Sequence, residues 1–97
     1  MEKSVLLIAP NITRDASTTK WLHPCIGIYR IAGYLKKFGH SAECYDASLY
    51  VATKKGPSLE EKLREQEWDI IAFSVLEESL ADDIAAMHLA KKLMPKA

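Results

Sequence analysis

The chain has 97 residues, 48% of them hydrophobic and 27% charged, an ordinary composition for one globular domain. Thirteen basic and thirteen acidic residues leave a net charge of zero. That balance excludes the basic excess on which electrostatic binding to nucleic acid or to an anionic membrane depends.

Val5-Leu6-Leu7-Ile8-Ala9, bounded by Ser4 and Pro10, is a continuous apolar run that suits a parallel strand covered on both faces. Pro10 to Cys25 is then a long polar loop. A helix opens at Ile26-Gly27. Its stripe, Ile28, Ile31, Ala32, Leu35 and Phe38, recurs at three- and four-residue spacing. Lys36-Lys37 suit its last turn, and Gly39 its left-handed cap. Ala42 to Tyr45 is a short half-polar strand ending at Asp46, as expected of a sheet edge. Leu49 to Pro57 is a connector. Ser58 with Glu61 reads as a capping box for a short helix whose apolar face is Leu59 and Leu63. Trp68-Asp69 leads into Ile70 to Leu76, read as a second fully buried strand. Ser79 with Asp82 caps a last helix, Leu80 to Met94, with the stripe Leu80, Ile84, Met87, Ala90 and Met94.

The order βαβαβα implies a parallel sheet with crossover helices. The middle strand is the most polar and belongs at an edge. The expected fold is α/β, a flavodoxin-like (Rossmann-like) three-layer parallel sheet of order 2-1-3, as one domain over residues 1–97. Met94-Pro95-Lys96-Ala97 stands where a fourth strand is expected, so the reading is a sheet truncated after its third helix. The third strand then has an open apolar edge, a template for pairing with another chain. A homodimer through that edge is expected.

Met1-Glu2-Lys3 runs straight into an apolar stretch too short for a signal peptide's hydrophobic region, so none is expected. No run reaches the roughly eighteen apolar residues of a membrane helix. Two cysteines, Cys25 and Cys44, are too few for a disulfide scaffold or an all-cysteine iron–sulfur cluster. A reduced, cytoplasmic protein is expected.

Open α/β sheets bind ligands outside the carboxyl ends of their strands, and structureless loops as long as Pro10–Cys25 are usually functional or disordered. The loop offers Asn11, Thr13, Arg14, Asp15, Ser17, Thr18, Thr19, Lys20, Trp21 and His23, and a ligand role for part of it is the favoured reading. The plainer alternative is a mobile loop whose Trp21 and Leu22 cover the sheet end. A Walker loop is absent, and Gly27 and Gly33 are isolated, so no dinucleotide fingerprint exists. The acids Glu77, Glu78, Asp82 and Asp83 around the last helix start favour its dipole but repel an anion. A phosphoreceiver would need an aspartate where Ser74 stands and an acidic pair where Pro10-Asn11 stand. His23 has only Cys25 near it at ligand spacing, and a surface histidine is the plainer reading. His40 and His88 read as structural, and Glu77-Glu78 as a solvated pair. Cys25 at a helix start would have a lowered thiol pKa, but no resolving cysteine accompanies it. No catalytic constellation emerges from these residues.

Val5 to Pro10, Pro24 to Leu35, Phe38-Gly39-His40, Tyr45-Asp46 and Asp69 to Leu76, in this order and spacing, resemble the cobalamin-binding domain at the N-terminus of many radical SAM enzymes. The resemblance covers nearly the whole chain. It implies a corrin ring lying over the carboxyl ends of the strands. Ser74-Val75-Leu76 is similar to the family's Ser-x-Leu motif, whose hydroxyl bonds the nucleotide-tail base and whose aliphatic side chain packs on it. The cofactor-binding residues it implies, with those of the loop, are Asn11, Thr13, Trp21, His23, Gly27, Ser74, Val75 and Leu76. The better-known domains carry Asp-x-His-x-x-Gly after the first strand. Here Trp21-Leu22-His23-Pro24-Cys25-Ile26-Gly27 has Trp for the Asp and a longer gap to the Gly, so His23 is not carried over as a cobalt ligand. Neither a Gly-Gly motif nor a three-cysteine radical SAM motif is present. The iron–sulfur cluster and S-adenosylmethionine would belong to a downstream domain of a larger enzyme, and this chain would bind and orient cobalamin for methyl transfer or rearrangement. The alternative is a noncatalytic flavodoxin-like module for association or for another small ligand. A flavin-type carrier ranks below both.

Overall fold

The computed structural model describes residues 2–10, 26–47, 50, 56–75 and 80–97. The uncharged run after Ser4 becomes β1 (Ser4–Ala9), whose last five residues are buried. It lies at the centre of a parallel sheet, with β2 (Ser41–Asp46) on one side and β3 (Ile70–Phe73) on the other. The order β2-β1-β3 is the one read from the relative polarity of the strands.

Alternation along β1 divides the core in two. Val5, Leu7 and Ala9 pack with Ala42, Ile28 and Ala32, the last two from α1 (Ile26–Lys37). Leu6 and Ile8 pack with Tyr45, Trp68, Leu63 and Ala90. The last two come from α2 (Leu59–Leu63) and α3 (Leu80–Leu93). One helix therefore covers one face and two cover the other. This is a three-layer α/β arrangement of flavodoxin-like order. No described helix is long and apolar enough to cross a membrane.

The local signals act as their chemistry requires. After α1, the Gly39 N–H donates to the Lys36 carbonyl and the His40 N–H to the Leu35 carbonyl, both at 3.1 Å. This double closure is a Schellman motif, and it needs the positive φ of 87° that Gly39 adopts without a Cβ clash. His40 Nδ1 then accepts from the Lys3 N–H at 3.1 Å, tying the turn to the start of β1. At α2, Ser58 and Glu61 form the reciprocal capping box, with both hydrogen bonds at 3.3 Å. Lys62 Nζ reaches Glu43 at 2.7 Å and Glu65 at 3.0 Å, joining α2 to β2. Burial disfavours the Lys62 charge, but these two carboxylates outweigh it and hold the ammonium above its ordinary pKa.

At the amino edge, Asp69 clamps β3 to β1. Its Oδ2 accepts from the Ser4 N–H at 2.8 Å and from Ser4 Oγ at 3.1 Å, while its own N–H donates to the Ser4 carbonyl at 3.0 Å. The two donors hold the Asp69 carboxyl below the usual aspartate value. A carboxyl with a depressed folded pKa stabilises above its unfolded value and loses that contribution as pH falls through the folded one. Asp69→Asn is therefore expected to lower the urea midpoint at pH 7. The gap to the parent should close as pH drops below about 4. Urea titrations of both proteins at pH 3 and pH 7 check this; an unchanged gap would exclude the charge as its source.

Three expectations change. The third strand is shorter than Ile70 to Leu76 and is not fully buried: Ile70 is 48% exposed and Ile71, Ala72 and Phe73 are half-buried. The reason is topological, since no described strand lies outside β3. On α1, Ile28 and Ala32 are buried and Leu35 half-buried, but Ile31, and Phe38 just past the helix end, stand exposed. There Phe38 meets Tyr34 with ring centroids 4.9 Å apart. On α3, Asp83, Ala86 and Ala90 form the buried seam, and the large side chains Leu80 and Ile84 are exposed. Small residues let the helix approach the sheet closely, so the seam runs to one side of the largest apolar stripe. The expected Ser79 cap lies outside the described residues.

Candidate functional site

The carboxyl edge of the sheet is built by register. Ala9 pairs with Asp46, and the Ser74 N–H donates to the Ile8 carbonyl at 2.9 Å, extending the pairing one residue past β3. Asp46, Ala9 and Ser74 thus form a row across the ends of the three strands. Their alternation places them on the α1 face, in step with Leu7, Cys44 and Ala72.

The first turn of α1 lies at the same edge. Its last turn passes through Gly39-His40 straight into Ser41, at the amino edge, so the helix runs antiparallel to the strands. Twelve helical residues rise about 18 Å and six strand residues about 20 Å, so the two span the sheet together. Gly27 therefore sits near the end of the row. A Cβ built on Gly27 would meet no atom of the described residues within 4 Å.

Of the residues expected at the site, Gly27, Ser74 and Val75 are brought to this edge. Ser74 is half-buried and Val75 exposed. Asn11, Thr13, Trp21, His23 and Leu76 lie outside the described residues, as does Cys25. Among the described residues, no group of three or more His, Cys, Asp or Glu side chains is placed to hold a metal ion. His88 is exposed on α3. The Cys44 Sγ donates to the Ile28 carbonyl at 3.6 Å.

Two carboxylates stand out that the sequence reading did not select. Asp46 is buried at the end of β2, and Asp83 is fully buried in the first turns of α3. No described side-chain polar atom is buried without a hydrogen-bond partner, so both are satisfied in place. In the sequence, Asp83 looks like any acid that complements a helix dipole, and nothing local distinguishes it from the half-buried Asp82. Tyr45 lies beside Asp46 but faces the opposite core. Its phenol is pushed up to about 12, first by burial and then by Tyr50 and Glu61, so it is neutral and a poor proton donor at pH 7.

Two surface grooves lie away from this edge. One, of about 420 Å³, runs between α1 and the open side of β2, walled by Tyr29, Gly33 and Lys36 against Glu43 and Cys44. The other, of about 110 Å³, runs between β3 and α3, lined by Ile71, Phe73, Met87, Ala90, Lys91 and Met94. Neither includes Ser74.

Fold and site together define a class: a flavodoxin-like α/β domain with a small-residue row at the carboxyl edge of its sheet. No family model, curated protein or solved structure matches the chain.

Proposed function

We propose that the chain is a corrinoid-binding-type domain that holds cobalamin over the carboxyl edge of its sheet and presents it to a radical SAM domain. The observation that carries this reading is Ser74, half-buried at the end of β3 and level with Ala9 at the end of the central strand. A serine there has the chemistry to bond the ring nitrogen of a nucleotide-tail base, and Val75 and Leu76 follow it as aliphatic neighbours. The small Ala9 side chain beside Ser74 and the first turn at Gly27 fit a broad, flat ligand. Cobalamin, when bound, would supply the methyl-transfer or rearrangement chemistry; the chain's own part is to bind and orient. Asn11, Thr13, Trp21 and His23 remain the proposed loop contacts.

The test is retention of hydroxocobalamin. The protein and any longer reading frame containing it are mixed with the cofactor and passed through gel filtration while the corrin spectrum is followed. Near-stoichiometric retention is expected, weakened about tenfold by Ser74→Leu through loss of one well-placed hydrogen bond. Absence of corrin from the protein peak in both forms would overturn the reading. The second reading, a noncatalytic association module, is favoured by one observation, the apolar open side of β3.

A further inference from the structure

β2 is an edge of the sheet by topology. In a doubly wound sheet of order 2-1-3, further parallel strands add beyond β3, so β2 stays an edge however long the chain is. The Ser41 N–H donates to the Lys3 carbonyl at 3.0 Å, so Ser41 turns its backbone groups toward β1. Alternation then turns the N–H and carbonyl of Ala42 to the outer side. There they have no hydrogen-bond partner among the described residues, yet Ala42 is only 2% exposed. A nearly buried backbone donor and acceptor without partners are rare in folded proteins. Ala42 lies in the groove of about 420 Å³ whose other wall is one flank of α1. Tyr29, Gly33 and Lys36 form that flank at four- and three-residue spacing.

We propose that an extended peptide segment bearing an acidic side chain adds to β2 in this groove, antiparallel to the strand. An extended backbone supplies both an acceptor and a donor in the spacing that Ala42 needs. Charge selects the side chain. Of the residues lining the groove, Lys36 and Glu43 are charged. Glu43 is held by Lys62 at 2.7 Å, whereas Lys36 has no carboxylate partner among the described residues. α1 carries Arg30, Lys36 and Lys37 and no acidic residue, so the helical wall is cationic. A second copy pairing β2 with β2 would set two such walls against each other across a two-fold axis, which disfavours it as the occupant.

Spacing sets the pattern of the segment. From Tyr29 to Lys36 the helix rises about 10 Å. Side chains on one face of an extended strand recur about every 6.8 Å, so two of them fit along this wall. α1 runs antiparallel to β2, so an antiparallel segment runs with α1, from Tyr29 toward Lys36. Its first inward side chain is apolar and lies over the small Ala32 and Gly33, beside Tyr29. The second, two residues on, is Asp or Glu at Lys36. Main-chain hydrogen bonds supply the affinity, and the apolar-x-acidic pair supplies the selectivity. A Cβ built on Gly33 would meet no atom of the described residues within 4 Å, so a large side chain there fits the helix and fills the groove.

Titration of the chain with the end-blocked peptide Ser-Val-Thr-Val-Thr-Asp-Thr, followed by nuclear magnetic resonance, tests this. Saturable binding is expected, with slower hydrogen exchange at the Ala42 amide. Lys36→Glu should weaken binding at least about tenfold, through loss of a charge-assisted contact, and should reverse the preference toward the same peptide with Lys in place of Asp. Gly33→Phe should abolish binding of both peptides. Both positions are exposed, and circular dichroism checks that each variant folds. Absence of saturable binding, unchanged Ala42 exchange at saturation, or equal affinity of the parent chain for the Asp and Lys peptides would each overturn the proposal. So would a dimer of the chain paired through β2. The groove lies away from the carboxyl edge, so none of these outcomes depends on cobalamin.

Discussion

Trp68→Ala is expected to lower the free energy of unfolding by about 3–5 kcal/mol. Trp68 is 3% exposed in the core beneath α2 and α3, where it packs with Leu6, Ile8, Tyr45 and the fully buried Leu63. Its indole Nε1 donates to the Leu63 carbonyl at 3.2 Å. That carbonyl ends α2: the Glu60 and Lys62 carbonyls accept from the Arg64 and Glu65 N–H groups, and the indole serves the one at Leu63. One side chain thus fills the space between a short helix and the sheet and also closes the end of the helix. Truncation opens a large cavity and leaves a buried acceptor unpaired. A domain of this size has only about 5–15 kcal/mol in hand, so the variant should be largely unfolded by mild urea. Trp68→Phe separates the two effects: it keeps most of the ring volume, loses the hydrogen bond and should cost about 1–3 kcal/mol. Urea titration followed by far-ultraviolet circular dichroism measures both. If the two variants proved equally unstable, the cavity would not be the main cause.

Leu6→Ala should cost about 2–5 kcal/mol by the same measurement. Leu6 has no exposure and lies on the central strand, level with Glu43 of β2 and Ile71 of β3. Strands flank it on both sides and α3 packs above it, so the surroundings have little freedom to close over a void. The equivalent truncation at Ile84, exposed on α3, should cost less than about 0.5 kcal/mol in the monomer. The contrast between two branched aliphatic residues tests whether burial sets the scale of loss.

Much of the fold is legible in the sequence because it rests on local rules. The apolar run at Val5–Ala9 has strand length and suits a strand covered on both faces, and the more polar Glu43-bearing strand belongs at an edge. Gly39, lacking a Cβ, takes a φ of 87° at little steric cost, and Ser58 with Glu61 satisfies two amides at the start of α2. The helix faces were less legible. Ile31 and Phe38 fit the three- and four-residue spacing as well as Ile28 and Ala32 do, and α3's large Leu80 and Ile84 look more like core than Ala86. Periodicity identifies a stripe but not the tilt at which it meets the sheet. That tilt follows from how closely each helix can approach, which depends on the partner surface.

Of the candidate site, the sequence indicates the edge and three described residues on it, Gly27, Ser74 and Val75. Motif order suffices there, because residues at the end of a parallel strand, or at the start of the helix that follows one, lie at the carboxyl edge. The burial of Asp46 and Asp83 could not be read locally, since each depends on what folds over it from a distant segment.

By itself, then, the sequence determined the parallel α/β class, the 2-1-3 order and the helix stops, all consequences of backbone geometry and of the polarity of short segments. Tertiary structure alone decided which flank of α1 and α3 is buried, how far β3 extends and where the exposed apolar side chains collect. These are properties of packing between segments remote in the chain, and hydrophobic burial is non-directional, so no local pattern specifies them.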